Sequence, residues 1–121
     1  MKSQNKYDLQ ERLVKFSAMI IKNTSLLENN FASQHLIKQL IRSSTAAALN
    51  YGEAQSGESR KDFLHKMKIS LKELRESQVN LQILSEAELV RDEKNYKNII
   101  KECNELVAIF TASIIKAKTN M

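Results

Sequence analysis

The sequence predicts an all-α protein folded as an antiparallel up-down-up-down four-helix bundle. Three observations predict it. The 121 residues contain no proline and two glycines, so little interrupts helical backbone over long distances. Apolar residues recur at spacings of three and four in four successive stretches, which gives each helix one face to bury. The polar segments between those stretches are short, and short connections make consecutive long helices antiparallel neighbours.

The first stripe runs through Leu9, Leu13, Phe16, Ile20 and Leu27, is widened by Val14 and Ile21, and is broken only at Asn23; it predicts a helix over residues 7–27. "ENNFAS" reads as a loop, with Ser33 the expected N-cap of a second helix over residues 33–55. That helix carries Leu36, Ile37, Leu40, Ile41, Ser44, Ala47, Ala48 and Tyr51 on one side. Ser59 and Asp62 stand at capping-box spacing and open a third helix over residues 60–85, with Phe63, Met67, Ser70, Leu71, Leu74, Gln78, Leu81 and Leu84 inward. Asp92 is the expected cap of the fourth, over residues 92–116, whose stripe is Tyr96, Ile99, Ile100, Cys103, Leu106, Val107, Phe110 and Ile114. One domain, residues 1–121, accounts for the chain, which is long enough for a single core.

The second helix thins out between Ser43 and Ala48, a run of six small residues. At about 100° per residue, Ser43, Ser44, Ala47 and Ala48 share the inner side with Leu40 and Tyr51. Small side chains there let another backbone come close, with bulk at that level supplied by Phe63, Met67 or Phe110. Gly52 lies inside the helical pattern at a cost of about 1 kcal/mol relative to Ala, so another helix or another subunit is expected to cross it. Gly57 is placed to end the helix before the Ser59 cap.

The net charge of +5 and isoelectric point near 9.4 favour acidic partners such as nucleic acid. A single cysteine, Cys103, forms no internal disulfide and agrees with a reducing compartment. The N-terminal residues lack a signal-peptide apolar run, and no window reaches the roughly 20 apolar residues of a membrane span, so a cytoplasmic protein is expected.

"QLIRSSTAAALNYGEAQSGESRKDFLHKMKISLKEL", Gln39 to Leu74, resembles the small four-helix-bundle proteins encoded in intervening sequences of bacterial large-subunit ribosomal RNA genes, relatives of which accompany diversity-generating retroelements. The resemblance rests on Arg42 followed by small residues, on "NYGEA" where that family has Asn, two variable residues, Glu and a small residue, on Ser59 to Phe63, and on "SLKEL" containing Glu73. Many members have glycine directly after the glutamate; here Ala54 follows Glu53 and the glycine precedes it as Gly52. The resemblance implies a homo-oligomer, commonly a five-subunit ring, without known catalysis, and nucleic-acid binding for the retroelement branch. It singles out Arg42, Asn50, Glu53 and Glu73. These either line a functional surface or make the hydrogen bonds that hold helix ends or subunits together.

Sites for chemistry are sparse. "GEAQSGES" mimics phosphate-loop spacing, but Glu58 stands where a lysine is needed and no strand precedes it. Asp62 and His65 have the spacing of half a di-iron site without a second half, and are expected to be solvated. Cys103 falls mid-stripe, where a buried inert thiol is expected. No catalytic residue, metal set, cofactor or small-molecule substrate is therefore expected, and the chain reads as no enzyme.

Charge order is more informative. Lys61, His65, Lys68, Lys72 and Arg75 follow one another at spacings of 4, 3, 4 and 3 and fall within roughly 80° of one another on a helical wheel. They form a basic ridge with Asp62, Glu73 and Glu76 on one flank, and Lys38 and Arg42 add a shorter basic pair on the second helix. No aromatic residue interleaves with the ridge, so contact with RNA or DNA is expected through the backbone with little sequence preference. The expected function is a non-enzymatic oligomeric accessory that binds nucleic acid or assists assembly. The alternative is a structural or protein-partner module with no nucleic-acid role.

Overall fold

A computed structural model describes residues 8–57 and 59–120. The start of the first helix expected at Tyr7, and Glu58 in the phosphate-loop mimic, lie outside the described residues. Four helices follow in order: α1 (Leu9–Lys22), α2 (Phe31–Gln55), α3 (Arg60–Glu86) and α4 (Glu93–Thr119). Consecutive helices pack against each other and α1 meets α4, which closes the up-down bundle.

Each helix opens on a side chain that accepts from a first-turn backbone N–H: Asp8 from Glu11 at 3.0 Å, Asn30 from Ser33 at 2.9 Å, Ser59 from Asp62 at 3.0 Å and Asp92 from Asn95 at 3.1 Å. The caps expected at Ser59 and Asp92 are therefore in place. The cap expected at Ser33 is not. Asn30 caps α2, so that helix begins at Phe31, and Ser33 is buried inside its first turn.

The first helix also stops short of the expected residue 27. Asn23 Nδ2 donates to the Met19 carbonyl at 2.7 Å, occupying an acceptor of the last turn, and a 3₁₀ turn over Thr24–Leu26 follows. Leu27 then forms an isolated antiparallel bridge with Val90, flanked by Glu28 N–H donating to the Leu89 carbonyl at 2.8 Å. This bridge ties the α1–α2 connection to the α3–α4 connection at one end of the bundle. At that end α3 closes with Glu88 in the left-handed region (φ 61°), while Glu88 N–H reaches Ser85 O and Leu89 N–H reaches Leu84 O, both at 3.0 Å. This is a Schellman closure on a non-glycine residue.

The core takes Leu13, Phe16 and Ile20 from α1, Leu40 and Tyr51 from α2, Met67, Leu74 and Leu81 from α3, and Tyr96, Leu106 and Phe110 from α4. The small run on α2 lies against α3. Ser43 Oγ and Ser77 Oγ are 2.6 Å apart, Ser70 Oγ donates to the Ala47 carbonyl at 2.9 Å, and Ser44, Ala47, Ser70 and Ser77 are fully buried. Bulk at that level comes from Tyr51 and Phe110, whose rings meet edge to face at 5.5 Å, and from Met67; Phe63 is only half-buried. What crosses Gly52 is α1. A Cβ there would stand 2.9 Å from Gln10 Oε1, and Gln10 Nε2 donates to the Ala48 carbonyl at 3.1 Å.

Ala47→Leu should overpack the α2–α3 seam, because Ala47 is 0% exposed and its carbonyl is already engaged by Ser70. Chemical denaturation should show a loss of about 1–3 kcal/mol, whereas the same change at exposed Ala32 should leave the midpoint nearly unmoved.

Candidate basic interface

Helix α3 is buried on two sides. Ser70 and Ser77 face α2, while the Leu74 carbonyl accepts from Cys103 Sγ at 3.7 Å and the Leu81 carbonyl from the Tyr96 hydroxyl at 2.8 Å, both on α4. The remaining face carries Lys61, His65, Lys68, Lys72 and Arg75, all exposed. The helix thus displays the expected ridge as one continuous surface.

Its charges are only lightly compensated. Lys72 Nζ lies 3.6 Å from Glu76 Oε2 one turn on, and Arg75 Nη2 donates weakly, at 3.4 Å, to Thr111 Oγ1 on α4. Among the described residues, Lys61, His65 and Lys68 have no carboxylate partner. Lys72 is 72% exposed, so its ion pair is screened by water and leaves most of the charge free to attract an anion.

The residues singled out by the resemblance behave differently from the ridge. Arg42 Nη2 donates to Glu76 Oε1 at 2.9 Å and Arg42 Nη1 sits 3.6 Å from Glu73 Oε1, so this arginine clasps α2 to α3. Glu53 makes a second clasp, accepting from Lys66 Nζ at 2.6 Å. Asn50 Nδ2 donates to the Ala46 carbonyl of its own helix at 2.9 Å. Arg42, Glu53 and Glu73 thus make contacts between helices within one chain, and Asn50 makes one within its own helix. Arg42 therefore contributes little free charge to the ridge, and Lys38 stands exposed one turn before it.

Between α2 and α3 the surface dips into a groove of about 710 Å³. Arg42, Lys68, Lys72 and Arg75 border it, whereas Lys38, Lys61 and His65 lie outside its lining. Its apolar part is made by Leu36, Leu71, Val79 and Ile83. Sequence reasoning missed this feature. The outward stripe that begins with Lys61 continues beyond Arg75, at spacings of four, into Val79 and Ile83, and that continuation was the available signal.

Sequence reasoning also missed the clasp between α1 and α4. Arg12 holds Glu102 in a fork, Nε to Oε2 at 3.0 Å and Nη2 to Oε1 at 2.7 Å, and reaches Glu105 at 3.0 Å. The hydrogen bond to Glu102 raises the guanidinium pKa further above its ordinary value, with burial opposing it.

Asp62 and His65 are exposed, and among the described residues no three His, Cys, Asp or Glu side chains stand together as metal ligands. Cys103 is 0% exposed, and burial, helped by the Glu102 charge, pushes its thiol up to about 12. Burial likewise raises the Tyr96 hydroxyl, which is committed to the Leu81 carbonyl. No described helix is long and apolar enough to cross a membrane.

The fold and this surface define a four-helix bundle with a lightly compensated basic face. The family model of the 23S rRNA-intervening sequence protein matches residues 5–112, and the chain belongs to that family. Among solved structures it is similar to a protein of unknown function of the S23 ribosomal protein family from Bacteroides thetaiotaomicron. That match has 28% identity and a TM-score of 0.75, covering 87% of this chain and 96% of the other. No curated protein matches.

The raised thiol pKa has a direct readout. Because the folded value lies above the unfolded one, the native protein should react negligibly with a disulfide reagent up to pH 9. In denaturant, the rate should climb towards the ordinary thiol pKa near 9.0. Rapid labelling of the native protein at pH 8 would contradict the burial of Cys103.

Proposed function

We propose that the chain is a non-enzymatic, homo-oligomeric bundle whose α3 ridge meets the phosphate backbone of RNA or DNA with little sequence preference. The observation that carries this reading is the row of exposed, lightly compensated cations Lys61, Lys68, Lys72 and Arg75, with His65 among them, on one helix face. Point charges on flexible stems suit phosphate contact, and no aromatic ring lies among them to stack on a base. A symmetric ring repeats the ridge in every subunit and multiplies its field.

The five-subunit ring and the kinship with retroelement accessory proteins are carried by the resemblance noted above. Ser43 to Ala48 and Gly52 are occupied within the chain by α3 and α1, so self-association uses other surfaces. Val14 and Ile21 on α1 and Leu49 on α2, each half-exposed or more, supply apolar area for it.

Paired reversal of Lys68 and Lys72 to Glu should weaken binding to structured RNA or duplex DNA far more than paired reversal of Lys15 and Lys22 on α1, although both change net charge equally. Wild-type affinity should fall steeply with salt as counterions are released. Both variants should keep the wild-type mass in sedimentation, several times the 13.9 kDa chain. Equal losses would reduce the effect to general basicity, and absence of binding at low salt would favour the protein-partner reading.

A further inference from the structure

The cations of the ridge suit phosphate, but phosphate contact leaves the apolar half of the same stripe unexplained. Val79 and Ile83 are 50% and 46% exposed, and with Leu36 and Leu71 they floor the groove between α2 and α3. Isolated exposed aliphatic residues need no explanation, but several converging in one concavity mark a contact surface. We infer that this groove docks an amphipathic helix with acidic flanks, supplied by a protein partner.

Shape and charge specify the occupant. Lys68 and Ile83 are about four helical turns apart, a span of about 22 Å at 1.5 Å per residue, which matches a helix of about 15 residues. The walls are two packed helices whose backbone groups are already paired, so they offer no edge for an added strand. A third helix can instead seat its ridge of side chains between them. Apolar anchors at positions i, i+4 and i+7 of such a helix would meet Leu36, Leu71, Val79 and Ile83.

The rim sets the sign of the flanks. Arg42 at the rim is already paired with Glu73 and Glu76, but Lys68, Lys72 and Arg75 face the groove against only Glu76, which Lys72 shares with Arg42. A partner with Glu or Asp beside its apolar stripe complements this rim, and one with Lys or Arg is repelled. The inference does not rest on nucleic-acid binding, although the shared Lys68, Lys72 and Arg75 would make the two ligands compete.

The test uses the full chain and a fluorescein-labelled synthetic peptide that forms an amphipathic helix of about 15 residues, with leucines at i, i+4 and i+7 and glutamates on the flanks. Anisotropy titration should show saturable binding. Two control peptides, one with the same composition scrambled and one with lysines replacing the glutamates, should bind at least tenfold more weakly. Combined Val79→Glu and Ile83→Glu should weaken binding at least tenfold with helical signal and sedimenting mass unchanged, and Lys72→Glu with Arg75→Glu should do so through the rim alone. Equal binding of the scrambled peptide would overturn the inference. So would unchanged binding by both protein variants. A drop in mass on changing Val79 and Ile83 would overturn it in another way, by placing a second copy of this chain in the groove.

Discussion

Everything outside the core depends on how closely α2 approaches α3. Serines and an alanine, rather than leucines, line that contact, and two hydroxyl hydrogen bonds cross it: Ser43 with Ser77, and Ser70 to the Ala47 carbonyl. Each such bond contributes about 1 kcal/mol net, but a buried hydroxyl deprived of its partner costs about 1–3 kcal/mol. The seam is therefore intolerant of displacement as well as of bulk. It fixes the rotation of α3 about its axis, turning Ser70 and Ser77 to α2 and Leu74 and Leu81 to α4, and so leaves Lys61 through Arg75 facing out.

The ion pairs refine what the seam sets. Arg42 with Glu73 and Glu76, and Lys66 with Glu53, lie along the α2–α3 boundary, while Arg12 with Glu102 and Glu105 spans α1 and α4. The exposed pairs contribute about 0–1 kcal/mol each, so their main effect is on charge distribution, whereas the Arg12–Glu102 fork is bidentate and part-buried. They neutralise the flank of α3 next to α2 and leave its outward face positive. Glu73 and Glu76, two of the acidic residues that the sequence places on one side of the ridge, thus serve the bundle, and the cations on the other side remain available.

The bundle and its order were legible because long amphipathic stripes with capped ends have few other solutions. Tyr96, Cys103, Leu106 and Phe110 are buried as their spacing predicts. The boundaries misread were those decided by local side-chain competition. Asn23 and Asn30 are both good caps, and nothing in the sequence says that one ends α1 early and the other starts α2 in place of Ser33. The ridge was legible as a helical row of like charge. The groove was not, since it needs α2 and α3 side by side before Leu36 and Ile83 can share a surface. Burial of Glu73, Ser77 and Asn80 was equally hidden, because polar residues on a close-packed seam carry no hydrophobic signature.

The most direct test of the account is native-state amide hydrogen exchange resolved along the chain. If the α2–α3 seam is the structural constraint, the slowest amides should lie in α2 around Ser43 to Tyr51 and in α3 around Met67 to Leu81, opening only with global unfolding, while α1 exchanges through cheaper local opening. Protection highest in α1, or α2 and α3 exchanging faster than α4, would contradict it.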